Sequence, residues 1–169
     1  EGRYEWKGFR DSGELPFEFN PPRHYIATAN NNILPPGYTI PLGYDSWAQP
    51  YRVNRIREML ASGRKFDIED FVRMQQDVTS SLARRFVAVL RNWRPQPGTR
   101  AAQVVDELRR WDGVLAADSR AALVYEVWMT HLPAAMGRAS GGADAEGVLR
   151  ALEAQSNAEA LQKSLDTAL

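Results

Sequence analysis

The sequence has no cysteine. That single absence removes disulfides, thiolate catalysis and cysteine-ligated zinc together, and it says little about compartment. An excess of either charge is missing as well, since 21 Lys and Arg stand against 21 Asp and Glu. Without a net or clustered basic charge there is no electrostatic reason to expect nucleic acid or an anionic membrane as a partner. No apolar run reaches the roughly 18 residues that a bilayer span requires, and the N-terminus is charged, unlike a signal sequence. Histidine is scarce too. His24 and His131 are the only two, and neither has a serine and an aspartate placed as in a nucleophile elbow, which makes a Ser-His-Asp hydrolase a poor reading.

What remains is enough for one ordinary core: 169 residues, 44% of them hydrophobic. Residues 1–51 form a strand and loop segment, 52–136 a helical segment, 137–142 a glycine-rich linker and 143–169 a second helical segment. The fold class is therefore α+β, mainly α. In residues 1–22, Tyr4, Trp6, Phe9, Phe17 and Phe19 alternate with Gly2, Gly8, Gly13 and Pro16, which predicts extended pieces and turns packed by aromatic anchors. Residues 25–28 are β-branched and aromatic, bounded by Pro22 and three asparagines, and read as a short strand opening into a polar loop. Pro35, Pro36, Pro41 and Pro50 with Gly37 and Gly43 then give a long irregular loop, of a length that is usually functional.

From residue 52 the apolar period becomes helical. Val53, Ile56, Met59 and Leu60 share one face of a short helix closed by Gly63. Asp67 is expected to cap a single long helix, in which Ile68, Phe71, Met74, Val78, Leu82, Phe86, Val89 or Leu90, and Trp93 form one buried stripe ending before Pro95. Gln75 and Asp77 on that helix read as a polar pair bonding nearby backbone. A third helix over 101–111 ends at Trp111-Asp112-Gly113, with the indole packed and the aspartate bonding its own turn. A fourth starts at Asp118 or Ser119, carries Ala122, Tyr125, Trp128, Met129 and Leu132, and is broken by Pro133. Residues 143–169 should be helical with an interruption near Ser156-Asn157.

The asparagine triplet at 30–32 has two readings. Turn asparagines commonly cap their own backbone. An asparagine amide fixed at a strand end can also donate to an oxygen that gains charge during acyl transfer. The surrounding motifs favour the second. Trp6-Lys7-Gly8-Phe9, Leu15-Pro16, Asn20-Pro21, Tyr25-Ile26-Ala27-Thr28-Ala29-Asn30-Asn31 and Tyr51-Arg52-Val53-Asn54-Arg55-Ile56 occur in order. They are followed by Gln75-Gln76-Asp77 with Ser80 and Ala83, Leu108 with Trp111-Asp112-Gly113, and Asp118-Ser119 with Ala121 and Trp128. In this order and spacing they resemble the β-chain of the penicillin acylase (penicillin amidase) family of N-terminal nucleophile hydrolases.

The resemblance implies an interior fragment of that β-chain, with short strands belonging to an αββα core. It implies hydrolysis of acyl amides, of penicillin/cephalosporin or acyl-homoserine-lactone type, through an acyl-enzyme. The nucleophile of the family is a Ser, Thr or Cys exposed by self-cleavage, whose own α-amine is the base. This chain begins Glu1-Gly2-Arg3, so that residue is expected outside it, and the fragment alone is expected to be inactive. The implied partners are the remainder of the same precursor, that is the α-chain and the N-terminal part of the β-chain, and a small-molecule amide. The implied location is periplasmic or extracellular.

By the same resemblance Asn30 is the oxyanion donor, Asn31 its structural neighbour, and Arg52, 22 residues later, the supporting cation. Arginine keeps its charge and presents planar donors, which suits it to hold an amide and raise the local positive potential. Tyr25, Tyr44 and Trp47 are candidates to line the acyl pocket. The chemistry requires no cofactor, although the family can hold a structural calcium partly through an aspartate of the long loop, where Asp45 is the one carboxylate; a solvated turn aspartate is its other reading. His24 departs from the family pattern, which usually has glycine there. The alternative function is a non-catalytic helical interaction or scaffold domain that keeps the family fold.

Overall fold

The computed structural model describes residues 5–42, 46–137, 145–154 and 157–169. Seven α-helices are formed among the described residues: α1 (Tyr51–Leu60), α2 (Ile68–Gln75), α3 (Ser81–Leu90), α4 (Arg100–Arg110), α5 (Arg120–Ala135), α6 (Ala145–Ala154) and α7 (Ala158–Ala168). The chain divides into two compact units, Glu1–Ile68 and Glu69–Leu169. The linker expected at 137–142 falls almost wholly outside the described residues, and so does Ser156 of the expected interruption.

The first unit is mainly irregular. No strand forms among the described residues, and 25–28 lack the ladder that the sequence predicts. Burial nevertheless alternates along it, with Tyr25, Ala27 and Ala29 half-buried and Ile26, Thr28 and Asn30 exposed, as expected for an extended chain with a period of two. What is missing among the described residues is a neighbour to bond. The aromatic anchors are likewise uncovered: Trp6, Phe9, Phe17 and Phe19 are each at least 85% exposed. The regular pieces of this unit among the described residues are a short 3-10 helix at Ser12–Glu14 and α1, whose buried face is centred on Val53.

In the second unit five helices share a core. Apolar residues recur every three or four positions along each, for example Ala83, Phe86 and Leu90 on α3 and Ala121, Tyr125, Trp128 and Leu132 on α5. The helix α5 packs along α7, while α3 packs against α4 and α6. Serine and threonine caps set the starts: Ser80, Thr99 and Ser119 accept from the backbone N–H three residues on, and Asn157 does the same for α7. Arg85 of α3 fastens α6 by a two-point bond to Glu153, at 3.0 and 2.8 Å, and a third to Glu146 at 2.6 Å. These hydrogen bonds, Glu153 first and then Glu146, hold the Arg85 pKa well above its ordinary value.

Three helical expectations need correction. The long helix from Asp67 to Trp93 is broken into α2 and α3. At the break, Asp77 accepts from both the backbone N–H and the hydroxyl of Thr79, and Ser80 caps α3. Val78 and Ser80 pair with Leu115 and Gly113 around an antiparallel Thr79–Val114 bridge. These local and cross-chain bonds replace those a continuous helix would have made. The expected buried stripe fails with it, because Ile68 is 78% exposed and Phe71 and Val78 are about half exposed. Pro133, in turn, does not break α5, which runs on to Ala135. Proline forfeits one backbone bond, and in the last turn, beside the fully buried Leu132, that loss is confined to the end of the helix.

Trp111-Asp112-Gly113 is the helix terminus that the sequence predicts. The indole N–H donates to the Val114 carbonyl at 3.1 Å, and the Asp112 carboxylate accepts from the Val114 N–H at 3.0 Å. Gly113 lies at φ +81°, and a Cβ there would sit 2.7 Å from Arg84 Cγ and 3.3 Å from the backbone of both Arg84 and Ser80. The left-handed conformation alone costs an L-residue roughly 1–2 kcal/mol. Gly113→Ala is therefore expected to lower stability by about 2 kcal/mol or more. Thermal unfolding checks it, and a Tm equal to that of the unsubstituted protein would contradict the close approach.

Candidate active site

The candidate site lies in the first unit, where the asparagine triplet meets the start of α1. Pro50 ends the irregular loop and begins the helix, which places Arg52 in the first helical turn. Residue 30 is positioned from the other side: its carbonyl accepts from the Ala48 N–H at 2.8 Å. This backbone bond ties the asparagine turn to the loop just ahead of α1. Across the resulting gap Arg52 Nη2 donates to Asn30 Oδ1 at 2.8 Å, and both side chains are exposed.

That contact decides which way the amide faces. Arginine has donors only, so the carbonyl oxygen of the Asn30 amide must be turned to it, and the NH2 group must point away. No other hydrogen bond of the Asn30 side chain is formed among the described residues. The arrangement therefore presents a neutral N–H donor, backed by a fixed positive charge that polarises the amide. It can stabilise an oxygen that becomes anionic.

The backbone at this point is unusual. Asn30 has φ +60°, in the left-handed region that asparagine enters more readily than other non-glycine residues. Asn31 is only 5% exposed. Its Oδ1 accepts from the Ala29 N–H at 3.0 Å, and its Nδ2 donates to the Asn32 carbonyl at 2.8 Å. Asn32 Oδ1 accepts from the Leu34 N–H at 2.9 Å. Turn capping thus falls on Asn31 and Asn32, while the Asn30 side chain bonds Arg52 instead of its own turn. His24 also takes a positive φ, of 59°, which gives a physical reason for a glycine at that position in the family pattern.

Tyr25 is half-buried, with the Arg23 guanidinium carbon 5.6 Å from its ring centroid. Trp47 is half-buried and directly precedes Ala48. A groove of about 590 Å³ in this unit is lined by Phe17, Ile26, Asn31, Ile33 and Arg57, among others, but neither by Tyr25 nor by Trp47. Tyr44 and Asp45 lie outside the described residues. Among the described residues no group of three or more His, Cys, Asp or Glu side chains is placed to hold a metal ion. His131 is a half-buried residue of α5, in the other unit. Arg57 was not singled out by sequence, since a lone helical arginine carries no signal of its own.

The family model of penicillin amidase matches residues 1–169. The chain belongs to the penicillin amidase family. Among its relatives are acyl-homoserine lactone acylase QuiP of Pseudomonas syringae pv. syringae, 32% identical, and its namesake in Pseudomonas aeruginosa, 31% identical, each match covering 76% of this chain. Penicillin acylase 2 proenzyme of a Pseudomonas sp. is 30% identical over 75% of the chain. The chain spans only 16–17% of the length of these relatives.

Proposed function

We propose that the chain is an interior piece of the β-chain of an amide hydrolase and forms one wall of its active site. The reading is carried by one observation: Arg52, 22 residues after Asn30, holds the Asn30 carbonyl oxygen at 2.8 Å and so turns the amide N–H outward. In the proposed reaction a Ser, Thr or Cys at the start of the mature β-chain attacks the acyl carbonyl, its α-amine taking the proton. The carbonyl oxygen becomes anionic, and Asn30 Nδ2–H donates to it. Collapse expels the amine and leaves an acyl-enzyme, which water then cleaves through a second tetrahedral state stabilised by the same donor. Arg52 keeps the amide turned and its charge favours both states. The chemistry needs no cofactor.

The substrate class is an acyl amide of penicillin/cephalosporin or acyl-homoserine-lactone type. The names of the relatives fall within that class. The residues of the acyl pocket, among which Tyr25, Tyr44 and Trp47 are candidates, and any calcium held through Asp45 belong to the same proposal. So does self-cleavage of a precursor located in the periplasm or outside the cell. The uncovered Trp6, Phe9, Phe17 and Phe19 support a further part of it, that the remainder of the precursor covers this surface and supplies the strands of an αββα core beside residues 25–28.

The test is amide hydrolysis by the full-length precursor after intact mass has shown two chains, with phenylacetyl and acyl-homoserine-lactone amides as substrates. Arg52→Ala, with maturation intact, is expected to lower kcat by about 10- to 100-fold, which corresponds to the roughly 1.5–3 kcal/mol of a charged hydrogen bond. Absence of hydrolysis by the mature wild type on both substrate types would overturn the reading.

A further inference from the structure

Asn30 alone does not account for its own conformation. A residue at φ +60° is held there against a cost of roughly 1 kcal/mol or more, lowest for glycine and asparagine. The bonds that hold it come from its neighbour. The Asn31 amide reaches back to the N–H of residue 29 and forward to the carbonyl of residue 32, so its two ends bracket the Asn30 backbone. A side chain 5% exposed, with both its oxygen and its nitrogen used, has little freedom to release either end. The third restraint is the Ala48 N–H on the Asn30 carbonyl. With backbone and Cα direction set in this way, the Asn30 side chain is delivered to Arg52 rather than folded back onto its own turn.

We infer that Asn31 is a positioning residue for the proposed hydrolysis: its buried amide clamps the 29–32 turn and so fixes Asn30 in the left-handed conformation that aims its N–H at the reacting oxygen. This rests on the reading of Asn30 as oxyanion donor. Asn31 touches no reacting atom, so its effect must pass through Asn30. Two side chains that act as one unit give losses that do not multiply.

The experiment uses the full-length protein matured to two chains, in the forms Asn30→Ala, Asn31→Ala and the double variant. Asn31→Ala is expected to lower kcat about tenfold or more, with KM within about twofold of the unsubstituted enzyme, and to add nothing when Asn30 is already alanine. Asn31→Asp keeps the acceptor for the Ala29 N–H but loses the donor to the Asn32 carbonyl, and is expected to recover part of the loss. An unchanged kcat in Asn31→Ala, or losses that multiply in the double variant, overturns the clamp while the role of Asn30 stands. An unchanged kcat in Asn30→Ala overturns the underlying reading instead. Should Asn31→Ala not mature, the same comparison is made with Asn31→Asp, where wild-type kcat overturns the clamp and a loss of about threefold or more, absent on the Asn30→Ala background, supports it.

Discussion

On the proposed reading, Asn30→Ala in the full-length protein matured to two chains is expected to lose about 10² to 10³ in kcat, the usual cost of removing one oxyanion donor. The loss should fall on kcat more than on KM, because the N–H meets a full negative charge only when the carbonyl carbon is tetrahedral. The structure makes this substitution cleaner than most. The Asn30 side chain is exposed and its one hydrogen bond among the described residues runs to Arg52, so alanine removes the donor without opening a cavity. Asn30→Asp sharpens the point, since it is nearly the same shape and would keep a partner for Arg52 while replacing the N–H with an acceptor. It is expected to lose at least as much, because a carboxylate beside a developing oxyanion repels it. Single-turnover hydrolysis, after intact mass has shown that both variants mature, is the measurement. Activity within about twofold of wild type in Asn30→Ala would return residue 30 to the role of a turn residue.

The parts of the fold legible in sequence are those governed by local chemistry. The helices of the second unit follow from apolar residues at three- and four-residue spacing and from a cap residue that bonds its own backbone, as at Ser119. The broken helix shows where that logic stops. The apolar period passes through Val78 without a gap, so periodicity alone predicts continuity. The interruption rests on the local bonds of Asp77 and Ser80 together with partners remote in sequence, Gly113 and Leu115, which pair with Ser80 and Val78. No window of the sequence around residue 78 contains those remote partners.

The same division runs through the candidate site. The approach of Arg52 to Asn30 was legible only through spacing shared with a family, because the period and composition of an isolated arginine at a helix start carry no information about an asparagine 22 residues earlier. The bracket made by Asn31 was not legible, since it depends on a left-handed backbone that sequence does not display at asparagine as plainly as at glycine. The strand expected at 25–28 is not formed among the described residues for a related reason. Alternation and β-branching describe a chain suited to pair, and pairing itself needs a neighbouring edge that the described residues do not supply.

In the helical unit the largest expected effect is at Trp128. Its side chain is fully buried in the centre of α5, with the Phe86 ring edge-on at 5.0 Å and the Trp93 ring at 5.9 Å. The indole N–H donates to Ser164 Oγ at 2.7 Å, which joins α5 to α7 through the interior. Trp128→Ala is therefore expected to cost about 3–5 kcal/mol, from lost burial together with the cavity left behind. Two smaller substitutions separate the packing from the hydrogen bond. Trp128→Phe gives up the bond but keeps most of the ring, and Ser164 stays satisfied because its hydroxyl already donates to the Ala160 carbonyl at 2.6 Å. Ser164→Ala removes one oxygen and leaves the indole N–H buried with no acceptor, a loss of about 1–3 kcal/mol out of proportion to its size. Denaturant unfolding at constant m-value measures all three. If Trp128→Ala cost less than about 1 kcal/mol, the contact between α5 and α7 would have to be looser than the buried indole and its bond to Ser164 require.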